Sequence, residues 1–253
     1  MMITRETLAQ YLNDYLACDR FNDYAPNGLQ IQGCGEITRI CTAVTASLAV
    51  IAEAAAFNAD ALLVHHGYFW RGEDAALVGM KYQRIRQLLL NDINLFAYHL
   101  PLDCHAVLGN NASLGRLFEL DDIQMHSVAK TPNLLWAGRL KKAMTECELS
   151  DLLSQKLMRQ PLCVSGSVKP IQTLAWCSGG AEDYIVQAHE LGVDAYLSGE
   201  ISERTYYQAH ELGLYYFACG HHATERLGIQ ALGEHLAVQF GLAHQFIDSA
   251  NPV

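Results

Sequence analysis

Apolar and polar positions follow two rhythms along this chain. In the opening stretch "RETLAQYLNDYLACDRF", Leu8, Tyr11, Leu12, Tyr15 and Leu16 recur at helical spacing, which predicts an amphipathic first helix. Short apolar runs then alternate with helical stretches: "RICTAVTA", "DALLVHH", "INLFAYHL", "TLAWCSGG", "DAYLSGE", "GLYYFACG" and "AHQFID". Each has the length and composition of a buried strand. Strands alternating with helices predict an α/β fold of largely parallel or mixed sheets flanked by helices.

The pattern also echoes itself. "EAAAFNADALLVHHG" (53–67) is matched by "QAHELGVDAYLSGE" (187–200), each running from helix through Asp-Ala into an apolar strand with a small or polar end. Further along, "LLLNDINLFAYHLPLD" (88–103) is matched by "QAHELGLYYFACGHH" (208–222). Two blocks of similar layout fit either a duplication or the shared grammar of βα units. The segment 126–170 differs and reads as a helix-bearing insert. Thr145 and Glu148 fit a capping box, Leu149, Leu152, Leu153 and Leu157 keep helical spacing, and Pro161 is expected to close the helix.

Composition narrows the class. The chain has 253 residues, 51% of them hydrophobic, enough to build one large core or two smaller ones. No run is long enough to span a bilayer, and the charged N-terminal stretch lacks the apolar region of a secretory signal. A cytoplasmic location is expected. The net charge of −10 argues against non-specific nucleic-acid binding, which depends on basic residues neutralising phosphates. The eight cysteines include no C-x-x-C pair, so neither a disulfide framework nor a zinc ribbon is expected. Neither a P-loop nor a dinucleotide-binding fingerprint is present.

Metal-ligand side chains collect at three strand ends. His65 and His66 finish "DALLVHH"; His99, Asp103 and His105 follow "INLFA"; His221, His222 and Glu225 follow "LYYFA". The C-terminal edge of a parallel sheet is where α/β folds place ligands, so these segments are expected to converge. His221 and Glu225, four apart, share one face of a helix opening at "HHATER", while His222 turns away by about 100°. Neighbouring residues on a strand point to opposite faces, so His65 and His66 are expected to serve two ions rather than one. Asp103 or Glu225 would supply a bridging carboxylate. Mixed imidazole and carboxylate ligands suit divalent Zn, Fe, Mn, Co or Ni better than Mg or Ca. His126, His189, His210, His235 and His244 lack such a context and read as surface or helix-packing residues. Cys104 and Cys219 read as structural thiols. Tyr68, Phe69 and Trp70 fit ring stacking and ordinary packing equally well. Lys81, Arg84 and Arg86 read as solvated helix charge. The resulting division is a metal-site α/β domain of residues 1–125 plus 219–253, with a second α/β domain, 126–218, inserted into it.

The motifs "DYAPNGLQ" (23–30), "VHHGYFW" (64–70), "NDINLFAYHLPLDCH" (91–105), "LGNNA" (108–112), "GVDAYLSGE" (192–200) and "GHHATER" (220–226) together resemble the NIF-three-like (YbgI) family. Its members are often labelled GTP cyclohydrolase 1 type 2 homologs. The resemblance covers nearly the whole chain and implies two intertwined α/β parts around a dinuclear metal centre. The family's ligand pattern falls on His65, His66, Asp103, His221 and Glu225. It further implies a ring-shaped homohexamer and, from the label, metal-activated water attacking the purine ring of GTP. Two readings follow: a metal-dependent hydrolase of a nucleotide or related small molecule, with His99 shuttling protons, or a metal-binding adaptor or metal-handling protein without turnover.

Overall fold

The computed structural model describes residues 2–253. In chain order its elements are β1 (Ile3–Thr4), α1 (Arg5–Tyr15), β2 (Gly28–Ile31), β3 (Glu36–Ile37), β4 (Arg39–Thr45), α2 (Leu48–Ala56), β5 (Ala61–His66), α3 (Gly79–Leu90), β6 (Asn94–Ala97), α4 (Leu100–Asp103) and α5 (Asn110–Leu117). They continue with β7 (Asp121–Val128), β8 (Thr131–Met144), α6 (Glu146–Leu157), β9 (Leu162–Ser165), β10 (Ile171–Trp176), α7 (Ile185–Glu190), β11 (Ala195–Ser198), α8 (Glu203–Leu212), β12 (Tyr215–Ala218), α9 (His221–Phe240) and β13 (Ala243–Phe246). The fold is mixed α/β, and all seven strands read from the apolar runs are present. Among the described residues, no helix is long and apolar enough to cross a membrane.

The chain divides into two compact units, residues 2–102 with 228–250 and residues 103–227 with 251–253. These bounds differ from those expected from the sequence. The reason lies in 103–125: α5 buries Ala112, Leu114 and Phe118 among Trp136, Leu174 and Trp176, and β7 pairs with β8, so the segment belongs to the second unit.

The first unit holds a five-stranded sheet in the order β13-β4-β5-β6-β2, parallel except for β2. Ala61, Leu62, Leu63 and Val64 of β5 are fully buried at its centre. Each of the larger three contributes roughly 1.5–3 kcal/mol by leaving water. Leu8 and Leu12 bury the apolar face of α1 as its spacing predicts, and the side chain of Thr4 caps that helix through Thr7 N.

The second unit holds a six-stranded sheet in the order β7-β8-β10-β11-β12-β9, with β10, β11 and β12 parallel. The segment 126–170 is no separate insert, because β8 pairs with β10 and β9 with β12 in this same sheet. The Thr145–Glu148 capping box forms as predicted. The helix ends, however, on Met158, left-handed at φ 57°, rather than at Pro161.

The echo in the sequence is an echo in structure. Asp60 Oδ2 accepts from Thr38 N, Thr38 Oγ1 and Arg39 N at 2.7–2.8 Å, tying the start of β5 to that of β4. Asp194 Oδ2 accepts from Gln172 N, Thr173 N and Thr173 Oγ1 at 2.8–2.9 Å, tying β11 to β10 in the same way. In both units one edge strand, β2 beside β6 and β9 beside β12, is antiparallel to the parallel strands it follows in the sheet.

Candidate metal centre

β5 ends in the first unit with His65, fully buried, and His66, half-buried. Their imidazoles anchor on opposite neighbours. His65 Nδ1 lies 2.9 Å from the Tyr98 carbonyl just beyond β6, and His66 Nδ1 lies 3.2 Å from Thr45 Oγ1 at the end of β4. A carbonyl only accepts, so His65 Nδ1 carries the proton and its lone pair sits on Nε2. Against the expectation of opposite faces, the two rings lie 4.7 Å apart, centre to centre. Both residues lie within β5, at its last two positions, where the two anchors hold the rings at the strand's end.

His99 joins them. Its Nδ1 lies 2.7 Å from Asp23 Oδ1, and its ring lies 5.1 Å from that of His65. Ligand atoms of His65, His66 and His99 all fall within 4.8 Å of one another. Asp23 Oδ2 accepts from Asn27 Nδ2 and Leu100 N, each at 2.9 Å. Burial works to raise the Asp23 carboxyl, but the hydrogen bond and charge of His99, with hydrogen bonds from Asn27 and Tyr24 N, together outweigh it and leave its pKa below the ordinary value.

Gly67 follows the histidines for a reason other than a turn. A Cβ there would stand 2.2 Å from Gln30 Oε1 and 2.6 Å from Ala97 Cβ. The missing side chain lets Gln30 bracket the next residue, accepting from Tyr68 N and donating to Tyr68 O.

The second unit presents Asp103, His221 and Glu225. Asp103 is 4% exposed, and its Oδ1 accepts from Asn110 Nδ2 at 2.9 Å and Ser178 Oγ at 2.8 Å. His221 and Glu225 share the first turn of α9, with Nε2 and Oε2 3.1 Å apart. On the other side of the ring, His221 Nδ1 lies 2.5 Å from Glu200 Oε1. Burial works to lower the His221 pKa, yet the hydrogen bonds and charges of Glu225 and Glu200 raise it to about 9. Gly179, at φ +68°, lies under this pair, and a Cβ there would sit 2.1 Å from Glu225 Oε1.

The remaining candidates have other employment. His105 Nδ1 accepts from Val107 N and Leu108 N and closes a turn. His222 is buried, with its backbone N–H on the Val253 carbonyl. His235 bonds Tyr11, His244 bonds Thr42 and His210 packs on Tyr206. Cys104 and Cys219 are buried thiols, and burial pushes Cys219 well above its ordinary pKa. Tyr68 is packing, buried with its hydroxyl on the Ala46 carbonyl, whereas Trp70 lies against His66 and His99. Lys81 is not solvated helix charge: its side chain is 11% exposed and pairs with Glu73. Sequence reasoning missed Asp23, Asn110, Ser178 and Glu200. Three of them sat inside noted motifs, "DYAPNG", "LGNNA" and "LSGE", and Glu200 ends the echoed strand at the position His66 holds in the first.

The donors fit a divalent transition metal. His65, His99 and His221 are each held through Nδ1 by an oxygen acceptor, the outer-shell arrangement that orients metal-binding imidazoles. Nitrogen donors beside buried carboxylates match the preferences of Zn, Fe, Mn, Co and Ni.

Known proteins bear on this arrangement. The profile of the family described as Duf34/NIF3 (NGG1p interacting factor 3) matches residues 3–252. A protein of Allochromatium vinosum named GTP cyclohydrolase 1 type 2 homolog is 54% identical over 97% of this chain and 96% of its own length. Its namesake in Haemophilus influenzae is 48% identical over 97% and 98%. Among solved structures, the protein ybgI, described as of unknown function, superposes with a TM-score of 0.95 at 43% identity, covering 99% of this chain and 100% of that one. Across nearly its full length, then, this chain belongs to the Duf34/NIF3 family.

Proposed function

We propose that this protein is a metal-dependent hydrolase acting on a nucleotide or a related small molecule, in line with the GTP cyclohydrolase label of its relatives. In this reading His65, His66, Asp103, His221 and Glu225 hold two divalent transition-metal ions. The observation that carries it is the tethering of the imidazoles: Tyr98 O, Asp23 and Glu200 occupy Nδ1 of His65, His99 and His221 and leave each Nε2 on the side of the ring away from that anchor. Such ions supply Lewis acidity and bring the pKa of water down to about 7.

The side chains do the rest. Asn110 and Ser178 orient the Asp103 carboxylate through Oδ1, and Gly179 leaves the room that Glu225 occupies. His99, steadied by Asp23, is placed to take a proton on Nε2 and pass it on. The family resemblance also supports a ring-shaped homohexamer, whose sixfold mass light scattering on the purified chain tests.

Metal analysis of protein purified without chelators, followed by a nucleotide-hydrolysis screen on the same sample, tests the reading. Bound transition metal and turnover, both lost in Asp103→Ala, are expected. If Asp103→Ala keeps its metal and its turnover, the assignment is wrong. The near-complete burial of Asp103 (4% exposed) and Glu225 (2% exposed) also favours a second reading, a metal-handling or adaptor protein that holds its ions without turnover. Slow metal exchange with no hydrolysis of any nucleotide would select it.

A further inference from the structure

The loop after β5 is held more firmly than its exposure requires. Phe69 sits at φ +65°, a conformation that bulky residues rarely adopt. The Lys81 ammonium lies 5.0 Å from the centre of its ring and donates to the Asp74 carbonyl at 3.0 Å. Trp70 N donates to Glu73 Oε2. Arg71 stitches this loop to the one before β2, through its N–H to Tyr24 O at 2.7 Å and Nη2 to Asp23 O and Asn22 Oδ1 at 2.9 and 3.1 Å.

These ties bring two aromatic side chains to His99 from separate loops. The ring of Trp70 lies 5.1 Å from that of His99, nearly perpendicular to it, and 5.9 Å from that of His66. The ring of Tyr24 lies 6.5 Å from that of His99. Tyr24 is 58% exposed, while its carbonyl is held by Arg71 N. Trp136 and Trp176, by contrast, are buried in the core of the second unit.

We propose that Trp70 and Tyr24 form a clamp that stacks on a planar nitrogen heterocycle of the substrate and presents it to His66 and His99. The proposal rests on the hydrolase reading and names the feature that reading leaves open. The clamp recognises the ring rather than a phosphate, because the nearby cations are committed elsewhere: Arg71 to main-chain and amide oxygens, Lys81 to Asp74 O and Glu73. Stacking on an aromatic side chain tolerates any base, so purine and pyrimidine nucleosides should all bind, purines more tightly through their larger face.

The test is calorimetric titration of the metal-loaded protein with guanosine, uridine, ribose 5-phosphate and inorganic triphosphate, with tryptophan fluorescence as a second readout. Guanosine should quench the half-buried Trp70 and bind more tightly than uridine. Trp70→Ala and Tyr24→Ala should each weaken guanosine binding about tenfold or more, while Trp70→Phe retains most of it. Metal content and circular dichroism of each variant separate this outcome from misfolding and from loss of the metal centre. Unchanged guanosine affinity in folded, metal-loaded Trp70→Ala overturns the clamp and leaves the hydrolase reading standing. Binding of ribose 5-phosphate or triphosphate as tight as that of guanosine, lost equally in Trp70→Ala, overturns it too. A wild-type protein free of metal refutes the hydrolase reading instead.

Discussion

Replacing Glu200 by glutamine keeps the size of the side chain and an oxygen that can accept from His221 Nδ1, while removing the charge. The variant therefore isolates electrostatics from orientation. The rise of the His221 pKa from 6.5 to about 9 corresponds to roughly 3 kcal/mol, shared with Glu225, which contributes the larger part. The Glu200 side chain is 42% exposed and screened by water, so its share is about 1 kcal/mol. A metal ion at Nε2 feels the same charge, and loss of an outer-shell carboxylate typically weakens metal binding by about 10–100-fold. Exposure places Glu200 at the low end, near tenfold.

With His221 a metal ligand, as proposed, proton and metal compete for its Nε2, which fixes the sign of the pH dependence. Metal affinity of the wild type should rise as pH climbs from 6.5 towards about 9, where the imidazole loses its proton. Glu200→Gln lowers that pKa, so near neutrality easier deprotonation offsets part of the lost attraction. Above pH 9 nothing offsets it. Calorimetric titration with Zn²⁺ at both conditions should then show nearly the full tenfold loss at high pH and a smaller one near pH 7. An NMR titration of His221 in the metal-free protein checks the cause. Equal loss at both conditions, or none at either, refutes the argument that Glu200 acts through the basicity of His221.

Three further outcomes follow from the same geometry. Gly179→Ala forces an alanine to φ +68°, at a strain of about 1–2 kcal/mol, and puts its Cβ 2.1 Å from Glu225 Oε1; metal analysis should find depleted metal in a protein whose circular dichroism is unchanged. Asp194 has its pKa held below the ordinary carboxyl value, hydrogen bonds from Gln172 and Thr173 outweighing burial, so its contribution is present above the unfolded-state pKa and lost as pH falls through the folded one. Asp194→Asn should thus lower stability at neutral pH by about 1–2 kcal/mol and flatten the acid limb of the denaturation profile, an effect that urea unfolding across pH would detect. Removing metal with a chelator should lower Tm, by the equivalent of about 2.7 kcal/mol for ligand held at a hundredfold excess over Kd, and added Zn²⁺ should restore it.

The central strands were legible because they are buried on both faces and therefore read as continuous apolar runs, as in "ALLV" and "YYFA". The β7–β8 hairpin was not. Nearly every residue of β7 is exposed or half-exposed on a sheet edge, which erases alternation, and the turn at Ala129 and Lys130 adopts φ 49° and 65° without the Asn-Gly signature of such turns. The candidate ligand types announced themselves as adjacent histidines and as His221 and Glu225 on one helical face. Their supports did not, since Asp23 meets His99 across 76 residues and Ser178 meets Asp103 across 75. Contacts of that range belong to the topology, which periodicity reads only coarsely.

The repeated βα layout explains why Glu200 stands where it does. Counting from the shared Asp-Ala, β5 runs Ala61, Leu62, Leu63, Val64, His65, His66, and the matching stretch runs Ala195, Tyr196, Leu197, Ser198, Gly199, Glu200. Equivalent registers with the preceding strand, Ile40 opposite Ala61 and Leu174 opposite Ala195, make the positions comparable in space and not only in sequence. The first copy ends in two imidazoles. The second ends in a glycine and a carboxylate, and each has a physical task. A Cβ at Gly199 would sit 2.8 Å from His221 Cα and 2.6 Å from Gly179 O, so the empty position admits the start of α9. Glu200 then reaches His221 Nδ1 from the position His66 occupies in the other copy. One βα frame thus ends in the candidate ligands themselves in its first use, and in its second makes room for a candidate ligand from the next helix and holds it in place.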